Sequence, residues 1–195
     1  MYEWSADCNN DGIVDYGQIL DGTFADSNNN GILDDCEVTT VEAGESIQDA
    51  IDATPDRGTV RVGPGTYTEN LVLSGRRITL ESIDGAATTI LDGASYGSVI
   101  RADSNTGTEM RVTGFTIING TGTGTSSNTL GGGIDVIGER MTVESCVFRD
   151  NTARWGGAIY VEDGQGVAGS DALVVCLLYT SPSPRDRTRS RMPSS

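Results

Sequence analysis

The sequence predicts an all-β solenoid preceded by a small loop module, and three observations lead to this fold class. A pattern of apolar residues at 110–121 returns 31 residues later at 141–152. Glycine makes up 26 of the 195 residues, about twice its usual share, which favours a turn-dense β architecture over helices. Two loops rich in Asp, Asn and Gly lie between residues 7 and 37.

The repeated pattern predicts two short strands joined by a bend. Met110 and Val112 alternate in one phase, and Phe115 and Ile117 alternate in the other. Alternate apolar residues indicate a strand with one buried face, so the change of phase predicts a bend, with Gly114 at the bend. A strand set of this kind cannot bury its own face and must stack on the next copy, which predicts a solenoid coil.

Each copy continues into a turn, a glycine corner and another short apolar strand. Asn119 and Asp150 follow the copies, where short polar side chains bond a turning backbone. The corners and strands occupy 131–136 and 156–161, and the segment 120–130 predicts a longer loop in the first copy. Cys146 replaces the first copy's Phe at the aligned position, so we expect its thiol to point inward.

The second copy carries a recognisable signature. Phe148-Arg149-Asp150-Asn151 followed by Gly156-Gly157-Ala158-Ile159 resembles the paired FxxN and GGAI motifs of polymorphic outer-membrane protein repeats. More broadly, residues 39–175 resemble a right-handed parallel β-helix of the pectin-lyase-like superfamily. The resemblance implies that fold, and a superfamily whose members serve surface, adhesive, binding and polysaccharide-cleaving roles.

The start of the solenoid region predicts a capping helix. Ser46 is a suitable N-cap for a helix over 47–53, and Pro55 and Gly58 end it. In pectin-lyase-like proteins such a helix plugs the open end of the solenoid. We expect an extended joint over 38–44, a turn over 63–67, and strands over 59–62, 71–73, 78–82, 88–91 and 98–102.

The second acidic loop fits the calcium-loop pattern in full. Side-chain oxygens stand at positions one, three, five, nine and twelve, Gly31 permits the sharp turn at six, and position seven offers a backbone carbonyl while its side chain is available for packing. Calcium prefers such an all-oxygen shell. The predicted ligands are Asp26, Asn28, Asn30, Ile32, Asp34 and Glu37.

The same pattern occurs 19 residues upstream with a neutral Gln18 at position twelve, so we expect a weaker site. The predicted ligands are Asp7, Asn9, Asp11, Ile13, Asp15 and Gln18. The pair, over residues 1–38, resembles dockerin type I repeats, which implies calcium as the bound ion and a cell-surface protein as a partner. The alternative is an unstructured linker rich in Asp, Asn and Gly.

Two cysteines bracket the loops. A bridge between Cys8 and Cys36 would close a module too small to have a core of its own, and such a bridge stabilises by about 3 kcal/mol in the chain-entropy model. We predict this disulfide, with two unpaired thiols as the alternative.

The net charge of −15 excludes several classes of partner. The chain has no Lys and no His, and its pI is near 4.1. Such a surface repels nucleic-acid phosphates and anionic lipids. No apolar run is long enough to span a membrane. We therefore expect a monomeric, calcium-binding protein outside the cell or on its surface, with a polysaccharide or a surface protein as its partner.

Catalysis is not indicated by any complete motif. With no His or Lys, acid–base work on a polysaccharide would fall to carboxylates or Arg, and Trp155 and Tyr160 near one corner offer rings for sugar stacking. The charged residues that are candidates for this work are Asp135, Glu144, Arg149, Asp150 and Asp163.

Three functions stay open: a structural, surface or carbohydrate-binding β-helix; the N-terminal part of a polysaccharide lyase or hydrolase; and a dockerin-type anchoring module.

Residues 176–195 differ from the rest of the chain. They are basic, rich in Ser and Pro, and resemble the translation of a common sequencing adapter. We expect a non-native or disordered tail that forms no coil, with the β-helix over 39–175 truncated at its C-terminal end.

Overall fold

The computed structural model describes residue 7 and residues 11–26, 31–73, 75–103, 109–125, 128–162, 173–176 and 179–180, the last two ranges by backbone alone. Two α-helices and a 3-10 turn accompany the strands. The elements are α1 (Asp15–Leu20), the 3-10 turn (Asp34–Cys36), β1 (Val38–Val41), α2 (Ile47–Ala53), β2 (Thr59–Val62), β3 (Gly65–Tyr67), β4 (Leu71–Val72), β5 (Thr79–Ser82), β6 (Thr89–Asp92), β7 (Ile100–Ala102), β8 (Glu109–Thr113), β9 (Thr116–Ile118), β10 (Thr123–Thr125), β11 (Asn128–Leu130), β12 (Ile134–Ile137), β13 (Arg140–Glu144), β14 (Val147–Arg149), β15 (Ile159–Glu162), β16 (Leu173–Cys176) and β17 (Tyr179–Thr180).

Three parallel sheets form the walls of a β-helix, which confirms the predicted solenoid. The first sheet has the order β1-β2-β5-β8-β13-β16, the second has the order β17-β14-β9-β6-β3, and the third has the order β15-β12-β7-β4. Each complete coil contributes one strand to each sheet, so every strand hydrogen-bonds to the equivalent strand of the next coil. One antiparallel hairpin, β10–β11, interrupts this scheme.

The strand register reproduces the offset of 31 residues seen in the sequence. Met110 pairs with Met141 in the first sheet, and Ile117 pairs with Phe148 in the second. In the third sheet the offset falls to 25, because Ile134 pairs with Ile159. The difference is absorbed by the β10–β11 hairpin, which occupies the longer loop expected over 120–130.

The bends between sheets use the residues that the repeat indicated. Gly114 and Ser145 occupy equivalent bends with φ of 79° and 50°, and Asn119 and Asp150 occupy equivalent turns with φ of 59° and 57°. A left-handed backbone is cheap for Gly and tolerable for Asn and Asp, because their short side chains bond the local backbone. The sequence prediction of a bend and a turn in each copy is therefore confirmed.

A single apolar core fills the solenoid. Phe115 and Cys146 lie at equivalent positions in successive coils, and both are fully buried, which confirms the inward thiol. Burial raises the pKa of the Cys146 thiol, because the thiolate would lose its hydration. Cys146 is thus a small apolar residue of the core rather than a nucleophile.

The predicted helix closes the N-terminal end of the solenoid. Helix α2 packs its buried Ile47 and Ile51 on the first strands, and the Ser46 side chain accepts a hydrogen bond from Asp49 N. The Glu69 carboxylate accepts bonds from Ile47 N at 3.1 Å and from the next amide at 3.0 Å. Both the helix and its cap therefore form as the sequence indicated.

One prediction about the first coils is incomplete and another is wrong. The segment 38–44 is extended at its start as expected, but residues 38–41 form β1, which pairs with β2 and begins the first sheet. The expected turn over 63–67 contains β3, which pairs with β6 in the second sheet. The Gly and Pro residues in this segment indicated a turn rather than a strand. In the structure, Tyr67 of β3 is buried and donates its hydroxyl proton to Gly63 O at 3.0 Å.

The strands continue past the predicted boundary at residue 175. Backbone pairing joins β16 to β13 and β17 to β14. The expectation that 176–195 form no coil is therefore wrong for Tyr179–Thr180, because the backbone there continues the second sheet. Residues 181–195 lie outside the described part of the chain, and the non-native origin of 176–195 stays a prediction.

The Asn of the FxxN motif ties two coils together. Asn151 Nδ2 donates to Ile117 O at 2.8 Å, and Asn151 Oδ1 accepts from Gly120 N at 2.8 Å. Both backbone groups belong to the preceding coil, at the turn where the strand ladder is interrupted. The amide side chain therefore supplies the two hydrogen bonds that strand pairing cannot supply there.

Asn151→Ala should lower the free energy of unfolding by about 2 kcal/mol, because it leaves a donor and an acceptor of the preceding coil without partners. Arg149→Ala, two residues away and exposed, should change it by less than about 0.5 kcal/mol. Urea unfolding followed by circular dichroism measures both. Equal effects of the two substitutions would contradict the bridging role.

Candidate functional site

The two acidic loops share one backbone conformation, as their common sequence pattern predicts. Gly12 and Gly31, at position six, have φ of 86° and 85°. Position eight is extended in both loops, and position nine begins a helical turn, at Asp15 in α1 and at Asp34 in the 3-10 turn. The helical turns are short, six and three residues.

The first carboxylate of each loop organises its turn. Asp7 accepts hydrogen bonds from Asp11 N at 3.1 Å and from Gly12 N at 3.0 Å. Asp26 accepts from Gly31 N at 2.9 Å, which is the equivalent bond in the second loop. These bonds fix the position-one carboxylates at the centre of the loops, where a cation ligand is required.

In the first loop, the side chains at positions five and twelve are hydrogen-bonded to each other, and one side-chain oxygen at position twelve has no hydrogen-bond partner. Gln18 Nε2 donates to Asp11 Oδ2 at 2.6 Å, and Gln18 is only 3% exposed. Its other polar atom, Oε1, is buried and has no hydrogen-bond partner. A buried acceptor without a partner is costly, and a bound cation would satisfy it. The donor set of this loop therefore fits calcium.

The second loop is joined directly to the solenoid. Asp34 is buried, and its N–H donates to Ala25 O at 3.0 Å. Glu37, at position twelve, gives its backbone carbonyl to Thr59 N at 2.8 Å, immediately before the β1–β2 pairing begins. The second loop is thus hydrogen-bonded to the start of the first sheet.

The position-seven side chains of the two loops lie largely in solvent. Ile32, whose side chain the loop pattern leaves available for packing, is 48% exposed, and Ile13 is 57% exposed. Leu33 at position eight of the second loop is 1% exposed and packs instead. Val14 at the equivalent position of the first loop is 40% exposed, so the packing at position eight is confined to the second loop.

Part of each predicted ligand shell lies outside the described residues, namely Asn9, Asn28 and Asn30. Within the described ranges, no group of three His, Cys, Asp or Glu side chains is arranged to hold a metal ion. The predicted shells draw on Asn, Gln and backbone oxygens as well, so calcium at Asp7, Asn9, Asp11, Ile13, Asp15, Gln18, Asp26, Asn28, Asn30, Ile32, Asp34 and Glu37 stays a prediction.

Cys36 is disulfide-bonded. Cys8 lies outside the described residues, so the pairing with Cys36 stays a prediction. We expect non-reducing peptide mapping of the oxidised protein to recover Cys8 and Cys36 in one linked pair, because closing this loop stabilises a module without a core. Cys146 should be alkylated only after unfolding, since it is buried. Recovery of Cys8 as a free thiol would contradict the bridge.

The charged residues considered for catalysis, where the structure describes them, are variously buried, ion-paired or exposed. Asp135 is 1% exposed, and burial raises the pKa of its carboxyl to about 6, against a lowering by Arg101. Glu144 forms an ion pair with Arg111, while Arg149 and Asp150 are exposed. Asp163 lies outside the described residues.

Asp135→Asn should stabilise the protein at pH 8 by on the order of 1–3 kcal/mol and have little effect near pH 4. The raised pKa means that the folded state holds the proton more tightly than the unfolded state, so stability falls as pH rises from about 4 to about 6. Asp150→Asn, at an exposed turn, is the control. Urea unfolding at both pH values measures the difference, and an equal effect at the two pH values would refute the assignment.

Two adjoining clefts lie between the second loop and the first sheet, and they share Asp35, Arg57 and Arg77. Arg57 pairs with Asp35, and Arg77 pairs with Asp56, which lowers the pKa of the Asp56 carboxyl through a hydrogen bond. The cations of these clefts are thus engaged by carboxylates of the same chain. The Arg57–Asp35 pair joins the loop module to the solenoid, whereas the Arg77–Asp56 pair lies within the solenoid.

A short segment of the chain is similar to a known repeat. Residues 145–162 match the model of the Chlamydia polymorphic membrane protein (Chlamydia_PMP) repeat. The matched segment covers the bend at Ser145, the FxxN turn, the GGAI corner and strand β15. No curated protein and no solved structure matches the chain. No helix in the described ranges is long and apolar enough to cross a bilayer.

Proposed function

We propose that this chain is an extracellular or cell-surface β-helix scaffold whose N-terminal loop pair binds calcium and thereby stabilises the open end of the solenoid. The observation that carries the calcium proposal is the buried Gln18 Oε1, which has no partner within a loop already shaped around Asp7 and Asp11. The surface location is supported by the similarity of residues 145–162 to a polymorphic membrane protein repeat.

The charge of the module supports a bound cation. Residues 1–37 contain nine Asp and Glu residues, and the first basic residue of the chain is Arg57. Carboxylates gathered at this density repel one another, and a divalent ion held by oxygen ligands removes much of that repulsion. Calcium fits these hard oxygen donors and the flexible loop geometry better than magnesium does, since magnesium demands a stricter octahedron.

The connection of the second loop to the first sheet gives calcium a structural task. Ordering Glu37 orders the carbonyl that accepts the Thr59 N–H bond, and the Arg57–Asp35 ion pair lies beside it. An ion that binds only the folded state stabilises it by about 2.7 kcal/mol at a hundred times the dissociation constant. Extracellular calcium modules have dissociation constants of about 10⁻⁴–10⁻³ M, which suits millimolar calcium outside the cell.

We expect 10 mM calcium to raise the melting temperature by several degrees, while equal magnesium raises it less. Glu37→Gln should remove most of this gain, because it loses the bidentate carboxylate at position twelve. Gln18→Ala should remove a smaller part by deleting the neutral ligand of the first loop. Thermal unfolding and isothermal calorimetry measure the two effects.

Asp21→Asn is the matched control, since Asp21 lies in the same module but outside the predicted ligand positions. It should leave both the calcium heat and the thermal gain unchanged. Absence of heat with millimolar calcium in the wild-type protein would refute the calcium proposal. Loss of the gain in Asp21→Asn as well would show non-specific charge screening.

A further inference from the structure

The β10–β11 hairpin is an insertion clamped between neighbouring coils on one flank of the solenoid. On one side, the Ser98 hydroxyl lies 2.8 Å from Thr123 Oγ1 and donates to Leu130 O at 3.1 Å. On the other side, Trp155 N donates to Thr129 O at 3.1 Å. Insertions into repeat proteins commonly gather on the face that binds a partner.

The hairpin fixes an exposed indole. Trp155 Nε1 donates to Asn128 Oδ1 at 2.9 Å, and Arg154 N donates to Thr129 Oγ1 at 3.0 Å. Trp155 is nevertheless 53% exposed. Because the indole N–H is already satisfied within the protein, the ring face is the part of this side chain that remains for an external partner.

A second aromatic ring is exposed on the same flank. Tyr96 is 86% exposed in the turn 93–97, and Gly97 O accepts a hydrogen bond from Thr121 N of the hairpin coil. The hairpin coil thus lies between the turn that carries Tyr96 and the turn that carries Trp155. Neighbouring coils are about 4.8 Å apart, so the two turns are separated by about 10 Å along the solenoid axis.

The hairpin between the two rings is uncharged and rich in hydroxyl and amide groups, and the exposed Arg154 next to Trp155 places a positive charge at its border. No Asp, Glu, Arg or Lys occurs from Asn119 to Ile134, in a chain of which 21% is charged. Thr123, Thr125 and Asn128 provide hydroxyl and amide groups there, and the exposed apolar surface is limited to the rings. Aromatic faces with neutral hydrogen-bonding groups suit a ligand that is apolar on its face and hydroxylated at its edge.

We propose that this flank, defined by Tyr96, the β10–β11 hairpin and Trp155, binds a neutral polysaccharide along the solenoid axis. The C–H face of a pyranose ring would stack on the Trp155 indole, and the sugar hydroxyls would bond to the Thr and Asn side chains. The net charge of −15 disfavours nucleic acid, the other ligand class that stacks on aromatic rings. The proposal adds a ligand to the surface scaffold and does not depend on calcium binding.

The test is calorimetric titration of the full chain, in calcium-containing buffer, with hexasaccharides derived from cellulose, xylan, mannan, chitin and β-1,3-glucan. We expect saturable binding to at least one of them. Trp155→Ala should weaken it about tenfold, which corresponds to about 1.4 kcal/mol. Tyr96→Ala should weaken it by a smaller factor, and Asn128→Ala should do so by freeing the indole to rotate.

Two controls separate binding from folding. Ile83→Ala removes an exposed side chain, 52% accessible, from the turn after β5, outside the proposed platform, and should leave affinity unchanged. Trp4→Phe makes Trp155 the sole Trp of the chain, so its emission should shift on addition of the bound sugar. Absence of binding to all five hexasaccharides, or binding that Trp155→Ala leaves unchanged, would overturn the proposal.

Discussion

In-register stacking of parallel strands is the constraint on which the rest of this structure depends. A coil of this solenoid cannot satisfy its own strand amides or cover its own apolar face, so both needs are met by the next coil. Register is therefore strict within strands: Met110 faces Met141, and Ile117 faces Phe148. The number of residues per coil can vary only in the turns. The β10–β11 hairpin is such a variation, and because of it the sequence spacing between equivalent glycine corners differs from that between equivalent strands.

In the turns, backbone N–H and C=O groups lose their partners in the neighbouring strand. A side chain replaces those partners at one turn, and glycine allows close packing at another. Asn151 replaces two backbone partners at the FxxN turn. At the glycine corner, a Cβ on Gly133 would lie 2.5 Å from the Ala158 carbonyl oxygen and 2.7 Å from the Phe148 ring. Phe148 of the FxxN motif and Ala158 of the GGAI motif thus both pack closely against Gly133, in the glycine corner of the preceding coil.

The features that could be predicted from the sequence are those that repeat along the chain or have a local sequence signature. The strand registers, the bends at Gly114, the inward Cys146 and helix α2 all follow from spacing or capping rules. Strand β3 was not predicted, because Gly and Pro lie next to its inward Tyr67 in the sequence and indicate a turn. The pairing of Trp155 with Asn128 and the unpartnered Gln18 Oε1 could not be predicted, since each depends on where distant or buried groups lie in three dimensions.

The N-terminal end of the solenoid shows how the stacking constraint shapes the remaining features. Strand β4 ends the third sheet, and the Gln48 side chain closes its edge by accepting from Val72 N at 2.8 Å and donating to Val72 O at 3.3 Å. One amide side chain thereby replaces a neighbouring strand, and exposed edges of this kind promote aggregation when left open. Strand β1 is the corresponding edge of the first sheet, and the second acidic loop leads directly into it. The loop is tied to this edge by the bond from Thr59 N to Glu37 O, and its carboxylates repel one another, so the calcium proposed above would favour the ordered loop. The same constraint separates the two proposed sites: the calcium proposal concerns the end of the solenoid, where a sheet edge must be closed, whereas the ligand proposal concerns a hairpin that lies outside the three parallel sheets and leaves their strand pairing intact.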